Sequence, residues 1–114
     1  AYLISEFIEG PDASINLNPD TQGELEAIAR ILQDLSDVQI SHGDLKATNF
    51  VMAGMGPVMI DLDGMKAHKN RQSFERAFSR DLHRFMENWQ DNPRLKASFS
   101  GLLGDLFARY GVSL

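Results

Sequence analysis

The chain has 114 residues, 43% of them hydrophobic, a length that suits one domain with a modest core. Its formal charge of −5 excludes general electrostatic attraction to nucleic acid or to an anionic membrane, because the field has the wrong sign for either. The lack of cysteine excludes disulfides and thiolate metal sites, and no apolar run approaches the roughly 20 residues that span a bilayer, so a soluble, cytoplasmic protein is expected.

Tyr2 to Ile8 mixes aromatic and β-branched residues and stops at Glu9-Gly10-Pro11, which predicts a strand running into a turn. Because the chain opens inside this strand, upstream sequence is expected to have preceded it. Residues 11 to 20 read as loop. Thr21 with Glu24 forms a capping-box pattern, and Leu25, Ile28, Ala29, Leu32 and Leu35 recur at helical spacing, predicting a helix from Thr21 to Leu35. The apolar runs Asn49 to Met52 and Pro57 to Asp61, parted by Ala53-Gly54-Met55-Gly56, predict a β-hairpin. A polar loop with Lys66, His68, Lys69 and Arg71 follows. Phe74, Ala77, Phe78, Leu82, Phe85, Met86 and Trp89 then form one apolar helical face that ends before Asn92-Pro93. Leu95, Phe99, Leu102, Leu103, Leu106, Phe107 and Tyr110 give a last amphipathic stretch capped by Gly111. The expected class is α+β, mostly helical, with a small hairpin among the helices.

The chemistry concentrates in Ser41-His42-Gly43-Asp44-Leu45-Lys46-Ala47-Thr48-Asn49 and in Val58-Met59-Ile60-Asp61-Leu62-Asp63-Gly64. These segments put a carboxylate, an amine and a carboxamide on a loop leading into a strand, with a second carboxylate at a strand end. Phosphoryl transfer asks a protein for positioning, for divalent metal on the phosphates and for a base at the attacking hydroxyl. Asp44 can accept the hydroxyl proton, Lys46 can neutralise charge on the transferring group, and Asn49 with Asp61 can hold Mg2+ through oxygen.

The same segments resemble the protein-kinase catalytic loop His-Arg-Asp-Leu-Lys-x-x-Asn and the Asp-Phe-Gly metal site that follows it. The resemblance covers nearly the whole chain. It implies a C-terminal lobe of the protein-kinase-like fold over residues 11–114, with residues 1–10 as the last strand and hinge of an N-terminal lobe that is otherwise missing. It also implies ATP and Mg2+ as cofactors, Asp44, Lys46 and Asn49 as catalytic residues, Asn49 and Asp61 as metal ligands, and adenine met by backbone near Glu6 and Ile8. Arg80-Asp81-Leu82, read as a helix start, is similar to the aspartate that braces the catalytic loop from below. Gly43 stands where many kinases carry the arginine that reads activation-loop phosphorylation, and only 19 residues separate Asp61 from Asp81, which favours a small-molecule or sugar acceptor over a peptide. Asp63 replaces the motif glycine and creates an Asp61-x-Asp63 pair, so Asp63 is a further candidate ligand; Asp61 is preferred because it directly follows Val58-Met59-Ile60.

Among small-molecule kinases the sequence most resembles the lipopolysaccharide kinase (Kdo/WaaP, InaA-like) family of Gram-negative bacteria. Lys46-Ala47-Thr48-Asn49-Phe50, Ile60-Asp61-Leu62-Asp63 and Arg80-Asp81-Leu82 ahead of Phe85 and Asn88-Trp89 carry that resemblance. It implies phosphorylation of a sugar hydroxyl of a glycolipid core, with peripheral association at the inner face of the inner membrane. An aminoglycoside- or choline-type phosphotransferase is the alternative enzyme, and a non-catalytic pseudokinase module the alternative outside enzymes. His42 is expected to pack and hydrogen-bond behind the loop, His68 and His83 to be ordinary, and the cluster from Lys66 to Arg71 either to grip an anionic acceptor or simply to be solvated. The sequence holds no glycine-rich phosphate loop with its lysine and glutamate, so this segment alone is expected to hold ATP poorly.

Overall fold

The computed structural model describes residue 17, residues 20–53 and residues 56–113. The predicted strand over Tyr2 to Ile8, the turn after it and the candidate hinge residues Glu6 and Ile8 lie outside the described residues. The described part is an α+β unit of four helices and two two-stranded antiparallel sheets: α1 (Gln22–Val38), β1 (Ile40–Ser41), β2 (Phe50–Ala53), β3 (Gly56–Met59), β4 (Lys66–Ala67), α2 (Arg71–Glu87), α3 (Pro93–Leu102) and α4 (Gly104–Tyr110).

Helix α1 buries Leu25, Ile28, Ala29, Ile31, Leu32 and Leu35, the stripe its spacing predicts. It runs one turn beyond the expected end. The extra turn ends in exposed Asp37 and Val38, off the buried stripe that marks the rest of the helix, and Gln39 closes it with a left-handed φ of 56°. Thr21 occupies the N-cap position, where its side chain makes no cap bond; its carbonyl accepts from the amides of Glu24 and Leu25 at 3.1 and 3.3 Å.

Strands β2 and β3 pair as predicted, with Phe50 opposite Met59 and Val51 opposite Val58. Phe50 and Met59 are fully buried and join the helical core. The predicted polar loop from Lys66 contains β4, which pairs with β1 (Ile40 opposite Ala67, Ser41 opposite Lys66) and is prolonged by a bond from His68 N to Gln39 O at 3.0 Å. Two residues with both side chains exposed carry no alternation, so no pattern announced this strand.

Helix α2 is the spine of the unit. Phe74 stacks on Phe78 at 5.1 Å between ring centroids, both meet Tyr110 edge-on, and Phe85 packs edge-on against Phe50, Trp89 and Phe99. Ser36 on α1 and Tyr110 on α4 close the far side with a buried hydrogen bond of 2.6 Å. The last amphipathic stretch is two helices, broken at Leu103 (φ −107°, ψ 9°) and capped at the end by Gly111 in a left-handed conformation (φ 68°). Its apolar spacing runs unbroken through Leu102, Leu103 and Leu106, so periodicity did not reveal the break.

Candidate active site

After Ser41, the last residue of β1, the chain runs along the C-terminal half of α2 as a loop that ends in a 3-10 turn over Ala47–Asn49, and side chains from that half hold it. Asp81, 3% exposed, lies on the apolar face of α2 one turn beyond Phe78. Its two carboxylate oxygens accept from the amides of His42 (2.8 Å) and Gly43 (3.0 Å). The expected bracing contact is thus present. Its placement differs from expectation: Asp81 is well inside α2 and not at a helix start, so attraction to a helix N-terminus does not account for it. Burial raises its carboxyl above the ordinary value, opposed by the two amide bonds and by the fields of His42 and Arg80.

His42 is buried behind the loop, as anticipated. Its Nδ1 accepts from the amide of Asp44 at 3.2 Å, which leaves the ring proton on Nε2 to be donated to the carbonyl of Ile60 at 3.1 Å. One ring therefore ties the Asp44 backbone to the end of β3. Asn88, the C-cap of α2 two turns after Asp81, supplies a second clamp: its Oδ1 accepts from Ala47 N (3.0 Å) and its Nδ2 donates to Leu45 O (3.0 Å). Sequence reasoning gave Asn88 no role. The signal was there as polar residues, Asp81 and Asn88, seven apart on a helix face otherwise filled with Phe, Leu and Met.

Gly43 and Gly64 bring the two chemical segments together. Gly43 has φ +97°, and a Cβ on it would stand 3.2 Å from the Gly64 carbonyl; a Cβ on Gly64 would stand 2.9 Å from the His42 carbonyl. At Gly64 a side chain would force the backbone apart, and at Gly43 a tight contact adds to a positive φ that other residues rarely adopt. This gives a local reason for glycine at 43.

Held in this way, Asp44 presents a half-exposed carboxylate whose two oxygens face different cations: Lys46 Nζ at 3.3 Å from Oδ2 and Arg84 Nε at 3.8 Å from Oδ1. Arg84 also donates to Asn88 Oδ1 at 3.3 Å. Asn49 is buried, its Nδ2 donating to the Asp44 carbonyl at 2.8 Å, an orientation that leaves Oδ1 as its acceptor atom. Its own carbonyl accepts from Ile60 N at 2.8 Å, extending the β2 to β3 ladder by one pair, so Asn49 lies across from the residue before Asp61. Asp61 is exposed and left-handed (φ 57°, ψ 70°), a conformation that Asp tolerates better than most residues. Asp63 follows in the exposed 3-10 turn Leu62–Gly64.

No protein-family model matches this chain, and no curated protein matches it.

The structure therefore brings Asp44, Lys46 and Asn49 into one hydrogen-bonded loop and sets Asp61 at the adjoining strand end. The donor types suit Mg2+: an amide oxygen and a carboxylate are hard oxygen ligands, and Mg2+ keeps several waters and phosphate oxygens in addition to one or two protein groups. Among the described residues there is no cluster of three or more His, Asp or Glu placed to cage a metal alone. No helix among them is long and apolar enough to cross a membrane. His68 is less ordinary than expected, since its two ring nitrogens bridge Ser41 Oγ (2.7 Å) and Ser73 Oγ (3.0 Å) and pin β1 to the start of α2.

Proposed function

We propose that this unit carries the catalytic loop of an ATP-dependent phosphotransferase of protein-kinase-like fold, acting on an alcohol, with a sugar hydroxyl as the acceptor class. The observation that carries this reading is the double anchoring of one short loop. Asp81 fixes the amides of His42 and Gly43, His42 fixes the amide of Asp44, and the result is a carboxylate held at the surface on a backbone that has few ways to move. Such support is superfluous for a solvated surface loop and suits a group that must meet a reacting atom within a fraction of an ångström.

In this reading the acceptor oxygen attacks the γ-phosphorus of ATP, the bond from that phosphorus to the ADP oxygen breaks, and the hydroxyl proton passes to Asp44. Lys46, paired with Asp44 in the resting site, would offset charge on the transferring group. Asn49 and Asp61 would hold Mg2+, with Asp63 as a further ligand candidate; the ion, when bound, supplies charge neutralisation on the phosphates. The lipopolysaccharide-kinase resemblance, and with it a glycolipid acceptor at the inner face of the inner membrane, belongs to this proposal and rests on sequence alone.

The test is Asp44→Asn in the full-length protein. Removal of the base with shape retained is expected to lower phosphoryl transfer by roughly 10²- to 10⁴-fold, while the circular dichroism spectrum stays that of the wild type. A variant that keeps half its activity would overturn the assignment.

A further inference from the structure

Beside Asp44 lies a cleft of about 500 Å³, walled by β4 and the outer face of α2. Among the residues that line it are Lys66, His68, Arg76, Arg80 and Arg84, with Asp44 at its edge. Arg76, Arg80 and Arg84 stand four apart, so they share one face of α2. Like charges at that spacing repel and weaken a helix, and in a chain of formal charge −5 their concentration at one cleft is not a reflection of composition. Arg84 is paired, with Asp44 at 3.8 Å and Glu87 at 3.9 Å, but the other two are not neutralised as other cations of this chain are. Arg71 pairs with Glu75 and Arg30 with Asp34, whereas Arg76 and Arg80 have no carboxylate within ion-pair distance among the described residues. Of the two carboxylates in the lining, Asp81 is buried and engaged by two amides, and Asp44 is shared between Lys46 and Arg84.

Neither Asn49 nor Asp61 lines this cleft, although Asp44 does. The candidate metal ligands thus lie outside the cleft that Asp44 lines. We propose that the cleft is an acceptor pocket for a hydroxyl-bearing phosphate ester, its phosphate held by Arg76 and Arg80 with Lys66 and its free hydroxyl turned to Asp44. Calling the ligand an acceptor rests on the phosphotransferase reading above; the anion site itself does not. The volume suits a molecule the size of a monosaccharide phosphate, and guanidinium groups recognise phosphate through paired, charge-assisted hydrogen bonds. The sequence-level candidate for anion binding, the cluster from Lys66 to Arg71, contributes only Lys66 and His68 to the lining; the larger share comes from α2.

The experiment is calorimetric titration of the full-length protein with glucose 6-phosphate and with glucose, without nucleotide. Glucose 6-phosphate is expected to bind at least tenfold more tightly than glucose, and the double variant Arg76→Ala/Arg80→Ala to lose at least tenfold of that affinity. Both arginines are exposed, so circular dichroism should show the variant folded. The control Arg30→Ala/Lys96→Ala removes equal charge from residues outside the cleft and is expected to bind as the wild type does. Equal binding of the two sugars, insensitivity to the α2 double variant or an equal loss in the control would overturn the proposal. So would co-sedimentation with phosphatidylglycerol vesicles in a protein that does not bind the sugar phosphate, since the anion would then be a lipid headgroup. Binding that behaves as expected in a protein that transfers no phosphoryl group upholds the cleft and counts against the phosphotransferase reading alone.

Discussion

At the scale of single residues, Asp81 shows how a buried charge is made tolerable and what it sets in place. A carboxyl raised by burial holds its proton more tightly in the folded chain than in the unfolded one. Its contribution to stability is therefore fullest below the ordinary value of 3.8 and declines as pH rises through the raised value. Asparagine cannot ionise, and its amide group would turn a donor toward one of the two backbone donors that the carboxylate satisfies. Asp81→Asn is expected to cost about 1–3 kcal/mol through the unsatisfied amide. The stability gap between wild type and variant should narrow as pH rises from the acid limb toward neutrality, as urea denaturation at a series of pH values would show. A gap that widens over that range would refute the stated direction. That Asp44, Lys46 and Asn49 share one loop was legible from their close spacing, and the bracing contact of Asp81 was expected from the resemblance. The contacts of Asn88 were harder to read, since what distinguishes it is a partner about forty residues earlier in the chain.

At the scale of elements, the loop and the turn after β3 act as one piece because two glycine backbones touch. An alanine at Gly64 would place its Cβ 2.9 Å from the His42 carbonyl, and both sides of that contact are backbone. The strand end carrying Asp61 would have to move away from the loop carrying Asp44. Displacements near 1 Å in a reacting site cost as much as 10²-fold in rate, so Gly64→Ala in the full-length protein is expected to lose at least tenfold in kcat with its helical circular dichroism unchanged. Full activity in this variant would mean that the two segments work independently. The hairpin and the longer helices were readable from periodicity, as Phe50 to Met52 and the α2 stripe illustrate. The β1 to β4 pair and the break at Leu103 were not, because a two-residue strand has no period and the α3 to α4 bend keeps the apolar spacing intact.

At the scale of the whole molecule, stability and chemistry occupy different places, and the single tryptophan makes the separation measurable. Trp89 is 3% exposed, stacked on Phe99 at 5.2 Å and edge-on to Phe85, which itself meets Phe50 from the hairpin. Its environment thus reports on α2, α3 and β2 together. If these elements share one core, loss of Trp89 fluorescence and loss of helical circular dichroism should coincide in a single urea transition. Phe99→Ala removes a fully buried ring from the centre of that cluster and is expected to destabilise by about 3–5 kcal/mol, moving both signals together. Asp44→Asn, at a half-exposed position whose neighbours are half-exposed cations, should leave the midpoint nearly where it was. Two separate transitions in the wild type, with the tryptophan signal lost first, would show instead that the α2 to α3 cluster and the rest of the helices fold as distinct units, and that the loop carrying Asp44 is braced from only one of them.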